Sequence, residues 1–171
     1  LDAEQAKLEP GADPGTTFPR RAAVNPARNV ERFAPVTATA VRFTVQATSN
    51  LEPCLDELEV FSTTGKNVAL GATPSASGTY PGSDIHRLEH LNDGKHGNSH
   101  SWISNERGKG WVQLEFPRET SITRVVWGRD REQKFSDRLA VDYRIEAALT
   151  TNDLKLLASS RDRVPYSGGR T

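Results

Sequence analysis

The chain has 171 residues, 26% of them charged and 35% hydrophobic, with Lys+Arg and Asp+Glu both at 22 and a formal net charge of zero. That length buries one domain's core, and the balanced charge does not suggest a polyanion-binding surface, so nucleic acid is not expected as a partner. A single cysteine, Cys54, excludes an internal disulfide framework, and no apolar run approaches the roughly 20 residues of a membrane-spanning helix, which makes a membrane an unexpected partner.

Residues 1–30 are rich in Pro, Gly, Ala and charge, with Pro10, Pro14, Pro19 and Pro26 spaced through them. Each proline biases its predecessor away from helix, so an irregular arm or linker is expected there. Met is absent, and the chain therefore reads as a piece of a longer protein, with any targeting segment and neighbouring domains outside it.

From Phe33 the texture changes. In FAPVTATAVRFTVQAT, Val41, Phe43 and Val45 alternate with Arg42 and Thr44, the pattern of a half-buried strand. After a turn at 49–53, CLDELEVF gives a second strand with one irregularity, a candidate bulge. GSDIHRLEHL spaces Ile85, Leu88 and Leu91 as a short helix would, with Ser83 or Asp84 as its cap. Further strands are expected in WVQLEF, in SITRVVWGRD, in LAVDYRIEAAL and, more weakly, in LKLLASS. Trp102, Trp111 and Trp127 lie on or beside these strands and are assigned to the core. Short period-two runs separated by Gly, Asn, Asp and Pro turns point to an all-β, antiparallel β-sandwich.

Five pieces of the chain, in order, carry a resemblance: NVALGATPSASGTYPG, LNDG followed by Trp102, GKGWVQLEF, ITRVVWGRDR and VDYRIEA. They resemble the discoidin, or coagulation-factor C-type, domain family (F5/8 type C, galactose-binding-like), which overlaps a family of carbohydrate-binding modules. The resemblance covers roughly residues 66–160 and implies a jelly-roll sandwich. Two features depart from the family. AALTTNDLK replaces its usual motif after the Tyr143–Ile145 strand, and no closing strands follow Ser160. A segment similar to those closing strands instead stands at 33–61, ahead of the family's usual beginning. Either one domain over 31–171 is circularly permuted, with 31–62 supplying the closing strands, or the tail of one module is joined to the head of the next. Neither half buries a sandwich core alone, which favours permutation.

Asp93-Gly94 with Asn98, and Ser101 further along the same loop, offers hard oxygen donors that suit Ca²⁺ better than Zn²⁺ or Mg²⁺. Alternatively Asp93 makes only an Asx-turn. The resemblance implies that Glu57 completes such a structural calcium site. His86, His90, His96 and His100 crowd one window, but HRLEH is not the HExxH of zinc proteases, so zinc is disfavoured.

The resemblance also implies sugar recognition by loops at one end of the sandwich, since a sugar ring needs an aromatic platform and a few placed polar groups. The candidates are Tyr80 and His86, then Arg129, Arg131 and Phe135 in the charged loop, then Asn50 and Glu52. Phe135 is singled out as an aromatic without strand patterning, though it would equally serve as a cap on the core. Adjacent carboxylates such as Asp56 and Glu57, or Asp130 and Glu132, read as a solvated face and not as catalytic pairs, and no nucleophile elbow or phosphate loop is visible. A non-catalytic module of a larger secreted protein (extracellular or periplasmic), binding a glycan or polysaccharide, is therefore expected. The alternative is a structural or protein-interaction sandwich without a sugar ligand.

Overall fold

The computed structural model describes residues 19–150 and 152–168. The expected arm over 1–30 therefore lies mostly outside the described residues. Its described end is already part of the fold, because Val24 is buried and β1 starts at Asn29.

Among the described residues eight strands follow in order: β1 (Asn29–Thr48), β2 (Cys54–Leu55), β3 (Glu57–Ser62), β4 (Thr73–Ala76), β5 (Trp102–Ile103), β6 (Gly110–Gly128), β7 (Ala140–Ala148) and β8 (Leu154–Ser159). Six of them form one sheet in the order β3-β6-β1-β7-β8, with β4 also beside β6, and β2 pairs with β5. Every strand pairing is antiparallel.

The two long strands carry the architecture. β1 and β6 pair along most of their length, but the register shifts between Arg32 and Val36 and again between Ala38 and Ala40. Pro35 lies in the first break and Pro117 opposite the second. Proline cannot donate to a ladder, so it sits where pairing is interrupted, and bulges there bend both strands. The bends bring the two arms of the sheet face to face. Phe43, paired with Val112 and Ile145, meets Trp127, paired with Asn29 and Leu58, at a centroid distance of 5.1 Å. Tyr143 joins both, 5.2 Å from Phe43 and 5.0 Å from Trp127.

One core results. Val41, Phe43 and Val45 of β1, Leu58 and Val60 of β3, Val112, Leu114 and Phe116 of β6, and Tyr143 and Ile145 of β7 belong to a single buried cluster. The 33–61 segment thus shares an interior with β6 and β7. Burial of each large side chain contributes about 1.5–3 kcal/mol.

Two expectations give way. Trp111 is not a core residue: Val112, Leu114 and Phe116 take the inward positions, which turns Trp111 to the outer face, where the Arg42 guanidinium lies 4.3 Å from its ring centre. The helix expected over 83–91 is only a 3₁₀ turn at Leu88–Asn92. Residues 85–87 are instead held extended, with Ser101 donating its N–H to Ile85 O and Arg87 donating to Ser101 O. His86 and His90 therefore do not share a helix face.

The polar tips of the aromatic cluster meet a buried charge. Trp127 Nε1 donates to Glu31 Oε1 at 3.2 Å, and the Tyr143 hydroxyl donates to the same oxygen. Arg163 donates to it at 2.8 Å, and Arg21 pairs with Oε2. Arg21 and Arg163 also form a bridge between the two ends of the described chain. Burial pushes the Glu31 carboxyl up, but the hydrogen bonds from Tyr143, Arg21 and Arg163 outweigh it and hold the group below its ordinary range.

Candidate functional site

Three loops meet around a cavity of about 250 Å³. Its walls are the aromatic side chains of Tyr80 and Phe135, the polar groups of His86, Asn98, Arg129, Asp137 and Arg138, and Ile103. Tyr80 is anchored by its N–H to Ile103 O, and His86 sits in the extended 85–87 segment. The other wall is the loop between β6 and β7. A larger groove of about 570 Å³ runs between residues 62–71 and 116–121, but no buried polar side chain lines it.

Arg129 is the fixed point of the cavity. Although 2% exposed, its guanidinium donates from Nε to Asp137 O at 2.8 Å, from one terminal nitrogen to Asn98 Oδ1 at 2.9 Å, and from the other to Asp137 Oδ1 at 2.7 Å. Those bonds use three of the five N–H groups that an arginine carries, which leaves donors for a ligand. Its face lies 5.3 Å from the Phe135 ring centre.

The chemistry of His86 follows from Ser101. The Ser101 hydroxyl gives its one proton to Asn98 O, so it accepts from His86 Nδ1 at 2.8 Å. That fixes the neutral tautomer and leaves Nε2 as a bare acceptor. Burial, followed by the charges of Arg129 and Arg138, holds the His86 pKa below its ordinary value, so the ring is neutral at pH 7. A group bridging the two would donate to His86 Nε2 and accept from Arg129.

Phe135 is 45% exposed and lies outside the core cluster, so it is not a cap. Asp130 presents it. This buried carboxylate accepts the N–H groups of Glu132, Lys134 and Phe135 and so folds the loop around itself. Two residues of this loop, Gln133 and Arg138, have φ near +60°, a conformation that costs a non-glycine residue on the order of 1 kcal/mol and is tolerated where the surroundings impose it. Asp130→Ala is expected to cost about 1–3 kcal/mol and to speed amide exchange at Lys134 and Phe135. Unchanged exchange would show that other contacts hold the loop.

Asn50 and Glu52 stand one step behind the cavity. Asn50 Oδ1 accepts the Arg138 N–H and Glu52 pairs with the Arg138 guanidinium, which lowers the Glu52 pKa. Arg131 does not join them. It donates to His96 Nε2 and to Glu59 Oε2 and does not line the cavity. Asn98 and Ser101, expected as calcium donors, have their side chains engaged with Arg129 and His86. Asp137 and Arg138 were not anticipated, because nothing in GRDREQKFSDR marks which charges turn inward.

Of the carboxylates expected on a solvated face, Glu132 is exposed, but the other three are as buried as Glu31. Asp56, Glu57 and Asp130 each have 0% exposure. Asp56 Oδ2 accepts the N–H groups of Gly97 at 3.0 Å and Arg131 at 2.7 Å, and Glu57 Oε1 accepts that of Gly94 at 3.0 Å. The loop needs glycine at both places, with φ of +79° at Gly94 and +96° at Gly97. Asp56 Oδ1 and Glu57 Oε2 have no partner among the described residues. Burial, opposed by the Gly94 bond and reinforced by Asp93, Glu59 and Asp56, pushes the Glu57 pKa up to about 9. An orphaned, buried oxygen beside the Asp93 loop fits a hard cation at Glu57, whereas the side chains of Asn98 and Ser101 do not fit such a set. Asp93 itself caps Lys95 N–H through Oδ1 and meets His100 Nδ1 through Oδ2 at 3.1 Å.

Cys54 is fully buried and its thiol is pushed up to about 11 by that burial, which makes it inert. Compared with protein-family models, with curated proteins and with solved structures, the chain shows no match.

Proposed function

We propose that this chain is a non-catalytic carbohydrate-binding module, a discoidin-like jelly roll that serves a larger extracellular or periplasmic protein. The observation that carries the reading is the cavity. Two exposed aromatic side chains, Tyr80 and Phe135, flank an acceptor, His86 Nε2, and a buried donor, Arg129. An aromatic face packs on the C–H face of a pyranose while the polar pair reads its hydroxyls. The volume, about 250 Å³, falls below the about 300–1,000 Å³ of drug-sized sites and suits one terminal sugar.

The permuted arrangement is supported by both ends of the order. Where the family's end would meet its beginning, β3 stops at Ser62 and a tight turn leads to Asn67, whose Oδ1 accepts the N–H groups of Val60 and Ala69. Where the family's chain would run on, the described ends meet at Arg21 and Arg163. Calcium is included as a structural ion at Glu57, bracing the 93–97 loop without touching the sugar.

A glycan array followed by titration calorimetry tests the function. The chain is expected to retain a terminal hexose, and His86→Ala and Phe135→Ala are each expected to weaken it about 10-fold, the equivalent of one hydrogen bond or one ring face. Both residues lie outside the core, so the variants fold. Retention of no glycan, or equal retention by both variants, would replace this reading with a scaffold that has no sugar ligand.

A further inference from the structure

We propose that His90, Asp93 and His100 form a binding site for a divalent transition metal ion of the zinc class. The sequence disfavours zinc because HRLEH, which places His86 and His90 at i, i+4, is not the HExxH of zinc proteases. The fold separates those two and supplies His100 instead. Ligand atoms of His90, Asp93 and His100 all lie within 4.8 Å of one another.

The geometry is close to a coordination shell. His100 Nδ1 and Asp93 Oδ2 are 3.1 Å apart, near the roughly 3.3 Å edge of a tetrahedron built on zinc bonds of about 2.0 Å, so an ion replaces the proton now shared between them. His90 is already in the required tautomer. Its Nδ1 lies 3.1 Å from Ile85 O, a carbonyl that only accepts, so Nδ1 carries the proton and Nε2 is bare. The two rings stand 4.9 Å apart and are tilted by 51°, which lets both aim at one point. Side-chain exposures of 33% for His100 and 21% for Asp93 leave a path for the ion and a fourth position for water.

Two imidazoles and one carboxylate select zinc-like ions over calcium or magnesium, which take oxygen donors. The site is therefore distinct from the hard-cation position at Glu57. A bound ion ties the 88–92 turn to the 97–101 loop.

The test is calorimetric titration of the metal-stripped 171-residue chain with Zn²⁺ alone, and with Co²⁺ to read the visible bands of a tetrahedral site. One ion per chain is expected. His90→Ala and His100→Ala should each weaken it by at least about 100-fold, since losing a ligand exceeds the 10–100-fold that a supporting residue costs. His96→Ala serves as a control and should leave the affinity unchanged. Retained thermal unfolding cooperativity in each variant shows that folding is not the cause. No saturable uptake of Zn²⁺, or uptake indifferent to His90 and His100, overturns the proposal.

Discussion

Glu31→Ala is expected to destabilise the fold by about 3–5 kcal/mol, the usual cost of removing one partner from a buried ion pair. The carboxylate is fully buried and receives Trp127 Nε1, the Tyr143 hydroxyl, Arg163 and Arg21. Its loss leaves the Arg163 guanidinium, 9% exposed as a residue, with Tyr143 Oη and Ala22 O as acceptors but without its buried counter-charge, together with two aromatic donors in the middle of the core. It also releases the clasp between residues 21 and 163, so both described ends should exchange their amides faster. Urea unfolding gives the stability, and a loss under about 1 kcal/mol would mean that water satisfies these groups without the carboxylate. Because the folded state holds Glu31 below its ordinary pKa, the stability it supplies is present above about pH 4.5 and is lost as pH falls through the folded value.

Glu57 works in the opposite direction. Its folded pKa lies near 9 against an ordinary 4.5, so between those values the unfolded chain has released a proton that the folded chain still binds. Metal-free stability is therefore expected to fall as pH rises across that window, by several kcal/mol. Calcium reverses this. A bound cation favours the carboxylate, so millimolar Ca²⁺ should raise the melting temperature more at pH 8 than at pH 5. Glu57→Gln keeps the acceptor for Gly94, abolishes the fall with pH and removes the calcium response. A variant that still gains stability from Ca²⁺ would place the ion elsewhere, and a wild-type curve that is flat from pH 5 to 9 would show the carboxyl to be better solvated than its burial indicates.

Much of the fold was legible in the chain because a half-buried strand writes its burial as alternation. Val41, Phe43 and Val45, then Leu58 and Val60, then Val112, Leu114 and Phe116, then Tyr143 and Ile145, all point where the period-two pattern puts them. The bend was not legible as a pattern, although Pro35 and Pro117 mark it, since neither proline reveals which strand lies opposite. Trp111 shows the limit of hydrophobicity as a guide: size and aromaticity suggested core, while its position beside Val112 put it on the outer face under Arg42.

The site was half legible. Tyr80, His86, Arg129 and Phe135 do line one cavity: the first three came from the loops that the resemblance implies, and Phe135 also from being an aromatic without strand patterning. Arg131 went the other way, since successive residues of a loop diverge according to turns that only tertiary contacts decide. The side chains of Asn98 and Ser101 bond Arg129 and His86 beside the cavity. Asp56, Glu57 and Asp130 were misread as solvated for a shared reason. Charge normally forbids burial, and the backbone N–H groups of Gly94, Gly97, Arg131 and Phe135 that compensate them come from loops distant in sequence.

The most direct test of the sugar-binding account is an NMR titration of the isotope-labelled chain with a panel of terminal hexoses. The account predicts saturable shifts confined to Tyr80, His86, Asn98, Phe135 and Arg138 and their neighbours, with His86 Nε2 reporting a new hydrogen bond. Shifts centred on the 62–71 groove, or none at hexose concentrations in the tens of millimolar where even about 4 kcal/mol of binding would register, would contradict it.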